Sequence, residues 1–308
     1  MSTWAELLES RQIEDGNGDI HSIDDLPSVF RGDLDLTPIR ELEHFTVKRI
    51  YGTLTAAHLG YVADGHGRVH SLDNLPKVFV GDLILRGARG NKALTNVEVI
   101  TGSLMCGSSS YEDLGSVRRI GLDLNLGNSQ VTSLGALSLI GRDGKFRESK
   151  IKSLGGLTII RRDFIARNLR SLQDTGELTV IGRHADFQNA GDIKFRKLKV
   201  IGGNADFDDS KTVSLGSIEV IGGSLNSNAA YPEPSQLSDL GQLRLIRGDA
   251  SFGPLVRLLG SLDSIGGDAF FHNSRVNLGN TIIHGKIKYS SVTYSSIPIF
   301  HRHDRSPF

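Results

Sequence analysis

Ser133-Leu-Gly-Ala-Leu-Ser-Leu-Ile-Gly-Arg-Asp-Gly-Lys-Phe146 is followed twenty residues later by Ser153-Leu-Gly-Gly-Leu-Thr-Ile-Ile-Arg-Arg-Asp-Phe-Ile-Ala166. The two stretches align without a gap, and the same text extends in both directions. A register set two residues after the shared isoleucine falls at Gly32, Gly52, Gly81, Gly102, Leu122, Arg142, Arg162, Arg183, Gly203, Gly223, Gly248, Gly267 and Gly285. Spacing this regular, at about twenty residues, is the signature of stacked repeats and not of separate globular domains. The sequence therefore predicts a mostly β, single repeat solenoid, β-helix-like, of about thirteen coils of ~20 residues.

Each column of the alignment has its own chemistry. Two residues before the register stand Phe30, Ile50, Phe79 and then isoleucine in every coil from Ile100 to Ile283. Apolar side chains recur two and four residues after it, as at Leu124 and Leu126 or Ala185 and Phe187. That alternation marks a strand with one buried face. Before the isoleucine the apolar steps are three residues long, as at Leu134, Leu137 and Ile140, so the chain must turn there. Gly115, Gly135, Gly155, Gly176, Gly216, Gly241 and Gly260 mark that corner, where a left-handed backbone costs least without a Cβ. Asn128, Asn168, Asn189 and Asn273 share another turn position. Strands stacked at ~4.8 Å predict a rod about 60 Å long.

Two steps exceed the beat. Asp15-Gly-Asn-Gly-Asp-Ile-His-Ser-Ile-Asp-Asp-Leu-Pro27 returns as Asp64-Gly-His-Gly-Arg-Val-His-Ser-Leu-Asp-Asn-Leu-Pro76, a duplication offset by 49 residues with a hairpin pattern. The other long step holds Ala229-Ala-Tyr-Pro-Glu-Pro-Ser-Gln236, a proline-bearing loop. Thr3-Trp-Ala-Glu6 fits a capping box, which predicts a short N-terminal capping helix over residues 1–14. The solenoid is expected over 15–289, with a C-terminal strand and a disordered tail over 290–308.

The coil text of Ser133–Gly141 and of Leu198-Lys-Val-Ile-Gly-Gly-Asn-Ala-Asp-Phe207 resembles the leucine-rich-like coils of the receptor L-domain family. It is similar in the spacing L-x-x-L-x-x-I-x-G-x-L-x-I. The resemblance covers about Leu26 to Tyr289 and implies a β-solenoid used for protein recognition. Receptor ectodomains of that family carry disulfides, whereas this chain has one cysteine, Cys106. A lone cysteine forms no intramolecular framework and fits a reducing compartment. With no signal-peptide pattern and no apolar run of membrane length, the expectation is a cytoplasmic protein, or one delivered into another cell without a cleavable signal.

Formal net charge is zero, but its distribution is not even. Residues 1–45 carry eleven acids against three bases, and residues 141–200 carry fourteen Lys or Arg against seven acids. Arg142, Arg162 and Arg183 share one column, Arg147 and Arg167 another, so the arginines build a stripe on one face. The stripe is the candidate partner site, suited to an acidic protein surface. Nucleic acid is disfavoured because no aromatic platform accompanies the cations. An acidic column, including Asp123, Asp143 and Asp163, has the chemistry for Ca²⁺, but His184, Ser224 and Lys286 interrupt it, and a turn-forming role is preferred. No cofactor or metal site is expected.

Two rival readings complete the expectation. Asp186 and Asp206 lie in adjacent coils, at a separation of roughly 5 Å that suits a carbohydrate-active β-helix enzyme. Ile159, Val180, Val200 and Val220 stand beside the inward isoleucines. Either the chain bends and buries both columns, the preferred reading, or an aliphatic ladder is exposed and supports a side-by-side homodimer.

Overall fold

The computed structural model describes residues 11–37, 39–42, 44–86, 88, 93–227, 235–272 and 276–289. The chain is a single β-solenoid. Two parallel sheets of eleven strands each run along the main stack. The first sheet extends from Val78–Phe79 to Ile282–Ile283 and holds the isoleucine column; the second extends from Leu83–Ile84 to Ile287–Tyr289. A third side is tied only by single parallel bridges, such as Asp113 to Ser133 and Asp174 to Lys194. Pairing is in register throughout, with Ile120 on Ile140 on Ile160 on Ile181.

Register follows from burial. Every isoleucine of the column from Ile100 to Ile265 is fully enclosed, and a slip of one residue would turn each of them into water. The corner glycines from Gly115 to Gly260 have φ between 53° and 58°, as their position requires. At Gly135 a Cβ would collide with the carbonyl oxygen of Gly115 in the coil below, so close stacking as well as handedness demands glycine. Asx and ST turns support this corner: the amide N–H groups of Gly135, Gly176 and Gly241 donate to Ser133 Oγ, Asp174 Oδ1 and Asp239 Oδ1. Asn128, Asn168 and Asn189 are also left-handed. The Asn168 and Asn189 amides reach Glu148 Oε1 and Asn168 Oδ1 in the neighbouring coil rather than their own turn.

The first two coils form a separate short stack, Val29–Arg31 on Arg49–Tyr51 and Leu34–Asp35 on Leu54–Thr55. The duplicated text explains the break. It forms two antiparallel hairpins, Gln12–Glu14 with Ile20–Ser22 and Tyr61–Ala63 with Val69–Ser71. In each, an aspartate holds a histidine: Asp15 to His21 at 3.3 Å and Asp64 to His70 at 3.2 Å. The imidazoles pack edge-on against Phe30 and Phe79.

The second hairpin splices the two stacks. Ile50 N–H donates to Gly67 O and Val69 N–H to Lys48 O on one side, while Gly65 N–H donates to Val80 O on the other. Tyr61, Ala63 and Val69 pack onto the first core, and Val62 and Leu72 belong to the second. In the first hairpin the residues matching Tyr61, Ala63 and Val69 are Gln12, Glu14 and Ile20, all exposed. Gln12 and Glu14 make this face more polar than its counterpart, although Ile20 on it is apolar, and polar residues blunt a strand edge that would otherwise invite polymerisation. Of the expected capping helix, residues 1–10 lie outside the described residues, and Gln12–Glu14 is a strand. The proline-bearing loop at 228–234, Asn273 and residues 290–308 also lie outside them.

The preferred reading of the aliphatic ladder is corrected. Ile159, Val180, Val200 and Val220 are not interior: they face outward and are partly exposed, while Ile160, Ile181, Ile201 and Ile221 beside them are enclosed. The strand does not bend here, and adjacent residues keep opposite faces.

Candidate functional site

The acidic column one residue after the register is a relay between coils. Asp123 Oδ1 accepts the N–H of Asp143, Asp143 Oδ1 that of Asp163, and Asp163 Oδ1 that of His184. His184 Nδ1 accepts from Asn204 N–H, Asn204 Oδ1 from Ser224, Ser224 Oγ from Asp249, Asp249 Oδ1 from Asp268, and Asp268 Oδ1 from Lys286. The chain is turning between its two sheets here, and a side-chain acceptor satisfies each N–H that the corner would strand. His184 and Ser224 therefore continue the column, since each brings a lone pair. The expected turn-forming role is met through the neighbouring coil. Among the described residues no cluster of His, Cys, Asp and Glu has the arrangement of a metal site.

The same aspartates face the arginines. Arg142, Arg162 and Arg183 bring Nε to 3.8 Å from Oδ1 of Asp123, Asp143 and Asp163. No hydrogen bond forms at that distance, and the arginine side chains stay 37–47% exposed. Arg167 is held more firmly, through Nε and Nη2 at 3.1 and 2.9 Å from Asp186 Oδ2. Arg147 Nε donates to Glu148 Oε1 at 3.1 Å. Asn168 and Arg147 together keep the Glu148 carboxyl below its ordinary range. The two arginine columns border the second sheet on either side of its strands Gly144–Lys145, Phe164–Ile165 and Ala185–Asp186.

Asp186 and Asp206 are direct cross-strand partners, as their spacing suggests. Neither is open. Asp186 Oδ1 accepts Gln188 N–H and its Oδ2 holds Arg167, while Asp206 accepts Asp208 N–H, Gln188 Nε2 and Asn226 Nδ2. Burial raises the Asp206 carboxyl above the ordinary range. Asp208 is pushed further, up to about 7, by burial first and then by Asp209 and Asp206. Its Oδ1 has no hydrogen-bond partner among the described residues. A hollow of about 690 Å³ beside this corner is lined by residues including Asp192, Asp209 and Lys211 but by neither Asp186 nor Asp206. Cys106 is fully buried and its thiol is pushed up to about 12, which leaves it unreactive.

No protein-family model, curated protein or solved structure matches the chain. Among the described residues no helix is long and apolar enough to cross a membrane.

Proposed function

We propose that this solenoid is a non-enzymatic protein-interaction scaffold whose second sheet, bordered by Arg142, Arg162 and Arg183 on one side and Arg147 and Arg167 on the other, docks an acidic protein surface. The observation that carries the proposal is how loosely the first column is engaged. Each of those guanidiniums is paired with its aspartate at 3.8 Å, beyond hydrogen-bond reach, which leaves N–H groups for a second carboxylate. Exposed pairs of this kind contribute about 0–1 kcal/mol, so a partner displaces them at little cost. The resemblance to receptor L-domain coils supports the same use, and the lone buried cysteine suits a cytoplasmic setting or delivery into another cell.

Affinity capture with the full chain, followed by titration of the captured partner, tests the reading. Replacing Arg142, Arg162 and Arg183 by glutamine should weaken binding at least tenfold without unfolding. Glutamate is the poorer choice, because it would face the stacked aspartates. Raising salt from about 0.05 to about 0.5 M should also weaken binding. Undiminished, salt-independent binding by the triple variant would place the partner elsewhere. One observation favours a carbohydrate-active enzyme instead: Asp208 held near pH 7 beside Asp206. On that reading, Asp206→Asn and Asp208→Asn would each abolish glycan cleavage, and the triple glutamine variant would leave it intact.

A further inference from the structure

The column five residues after the register, where each coil leaves the second sheet, reads Arg86, Gly107, Gly127 and Arg147 in four successive coils. Two adjacent glycines leave a gap in a column whose next members are Arg167, Gln188 and Asp208. The gap is a trench of about 440 Å³, closed at its ends by Arg86 and Arg147 and flanked by Met105, Asn125, Lys145 and Ile165. These four stand in register on the second sheet. Three rungs at ~4.8 Å put the two arginines about 14 Å apart along the rod.

Backbone geometry does not demand the glycines. Neither has a left-handed φ, and a Cβ at either meets nothing closer than 3.2 Å. The corner glycines Gly115, Gly135, Gly176, Gly216 and Gly241 have both constraints. What Gly107 and Gly127 do is keep the trench open.

The trench also collects donors. In other coils the N–H at this column is taken by a side chain two residues earlier: Thr37 by Asp35, Gly127 by Asn125, Gln188 by Asp186 and Asp208 by Asp206. Met105 and Lys145 stand in that place before Gly107 and Arg147; the thioether is at best a weak acceptor and the ammonium is none. The N–H groups of Gly107 and Arg147 therefore have no hydrogen-bond partner among the described residues. Asn125 uses its oxygen on Gly127, which leaves its amide NH₂ to point outward. Arg86 and Lys145 have no acidic partner among the described residues. The one carboxylate at the rim, Glu148, is bound by Arg147 Nε and by Asn168 in the next coil.

We propose that this trench binds an extended acidic peptide segment of the partner, with carboxylates about four residues apart seated on Arg86 and on Lys145 with Arg147, and apolar side chains between them on Met105 and Ile165. At ~3.3 Å per residue, four extended residues span about 13 Å, which matches the distance between the arginines. Bidentate guanidinium–carboxylate pairing fixes the two ends. The lining contains no aromatic ring on which a base could stack, which sets nucleic acid aside. The inference rests on the protein-binding reading above and narrows it to one groove.

The test uses the full chain and a labelled, end-capped decapeptide with a central Glu-Ser-Leu-Ser-Glu, which puts both carboxylates and the leucine on one face, read by fluorescence anisotropy against its Gln-Ser-Leu-Ser-Gln counterpart. The acidic peptide should bind and the amide peptide should not. Arg86→Gln with Arg147→Gln should weaken binding at least tenfold. Gly127→Leu, which fills the trench and leaves every charge in place, should do the same; Gly127→Ser serves if the leucine variant fails to give the wild-type circular dichroism. Arg118→Gln with Arg119→Gln, which removes two exposed cations at the first sheet, should stay within twofold of wild type. Equal binding of both peptides, no binding of either, or binding that survives both the arginine and the Gly127 substitutions would overturn the trench. If the triple glutamine variant of Arg142, Arg162 and Arg183 loses the captured partner while the trench variants keep it, the scaffold reading stands and the trench alone falls.

Discussion

Asp143 Oδ1 takes the N–H of Asp163 and lies 3.8 Å from Arg162 Nε, whereas Asp208 Oδ1 is buried with no hydrogen-bond partner among the described residues. Both are aspartates that look alike in the sequence, and the difference is one of supply. The corner column meets an unpaired N–H at every rung. Burial first, and then the neighbouring Asp209 and Asp206, push the Asp208 carboxyl up to about 7. Between about pH 4 and pH 7 an unfolded chain has released this proton and the folded chain still holds it. Fewer protons on the unfolded state mean that stability falls as pH rises through this window and levels off above it. A shift of that size corresponds to at most about 4 kcal/mol, and partial exposure reduces it to about 1–2 kcal/mol. Asp208→Asn should therefore be the more stable protein at pH 8 and lose most of the decline between pH 5 and pH 8. Thermal melts at the two pH values measure this; parallel declines in variant and wild type would show that the carboxyl is not perturbed.

The strands are held by a division of volume inside each coil. On the second sheet the two inward positions are filled as Leu124 with Leu126, Gly144 with Phe146, Phe164 with Ala166, Ala185 with Phe187 and Ala205 with Phe207. A large residue is always matched by a small one, or two medium ones share the space, as close packing at constant coil width requires. Phe164 bridges Phe146 and Phe187 at centroid distances of 5.2 and 5.4 Å. Phe164→Ala should cost about 3–5 kcal/mol. Adding Ala166→Phe gives this coil the filling of the one above it, and the double variant should recover at least half of that loss in denaturant titrations. A double variant weaker than the single one would refute the shared-volume account. Inward columns and the corner glycines were legible because repetition every twenty residues exposes them. Bonding partners of the aspartates were not, since each lies in another coil and is a main-chain N–H that no side-chain pattern reports. The splice was half legible: the duplication is visible in the text, but its effect depends on Tyr61, Ala63 and Val69 replacing Gln12, Glu14 and Ile20 on one face.

At the scale of the rod the outward ladder is the feature that bears on assembly. Leu139, Ile159, Val180, Val200, Val220 and Leu245 follow one another in register on the first sheet. Gly141, Gly182, Gly202 and Gly222 lie along one flank and leave the strip flat. On the other flank Lys199 pairs with Glu219 and Arg244 with Asp263, while Arg161 and Arg247 stand exposed in the column of the glycines. Six rungs at ~4.8 Å and a width of about 10 Å give roughly 250–300 Å². Stable interfaces bury about 800 Å² per partner. If two copies pack strip to strip across a two-fold axis, the strip alone is too small for a tight dimer, and association is expected only at high concentration. Sedimentation velocity from about 5 to about 500 μM should show the sedimentation coefficient rising with concentration, because the strip alone falls below that standard size. Val180→Lys with Val200→Lys should remove the rise and leave the circular dichroism unchanged, since both ammonium groups stand in water. A concentration-independent monomer would eliminate the dimer. Unfolding of the lysine variant would contradict the outward placement of the ladder, because only a buried pair of ammonium groups carries a cost large enough to break the coil.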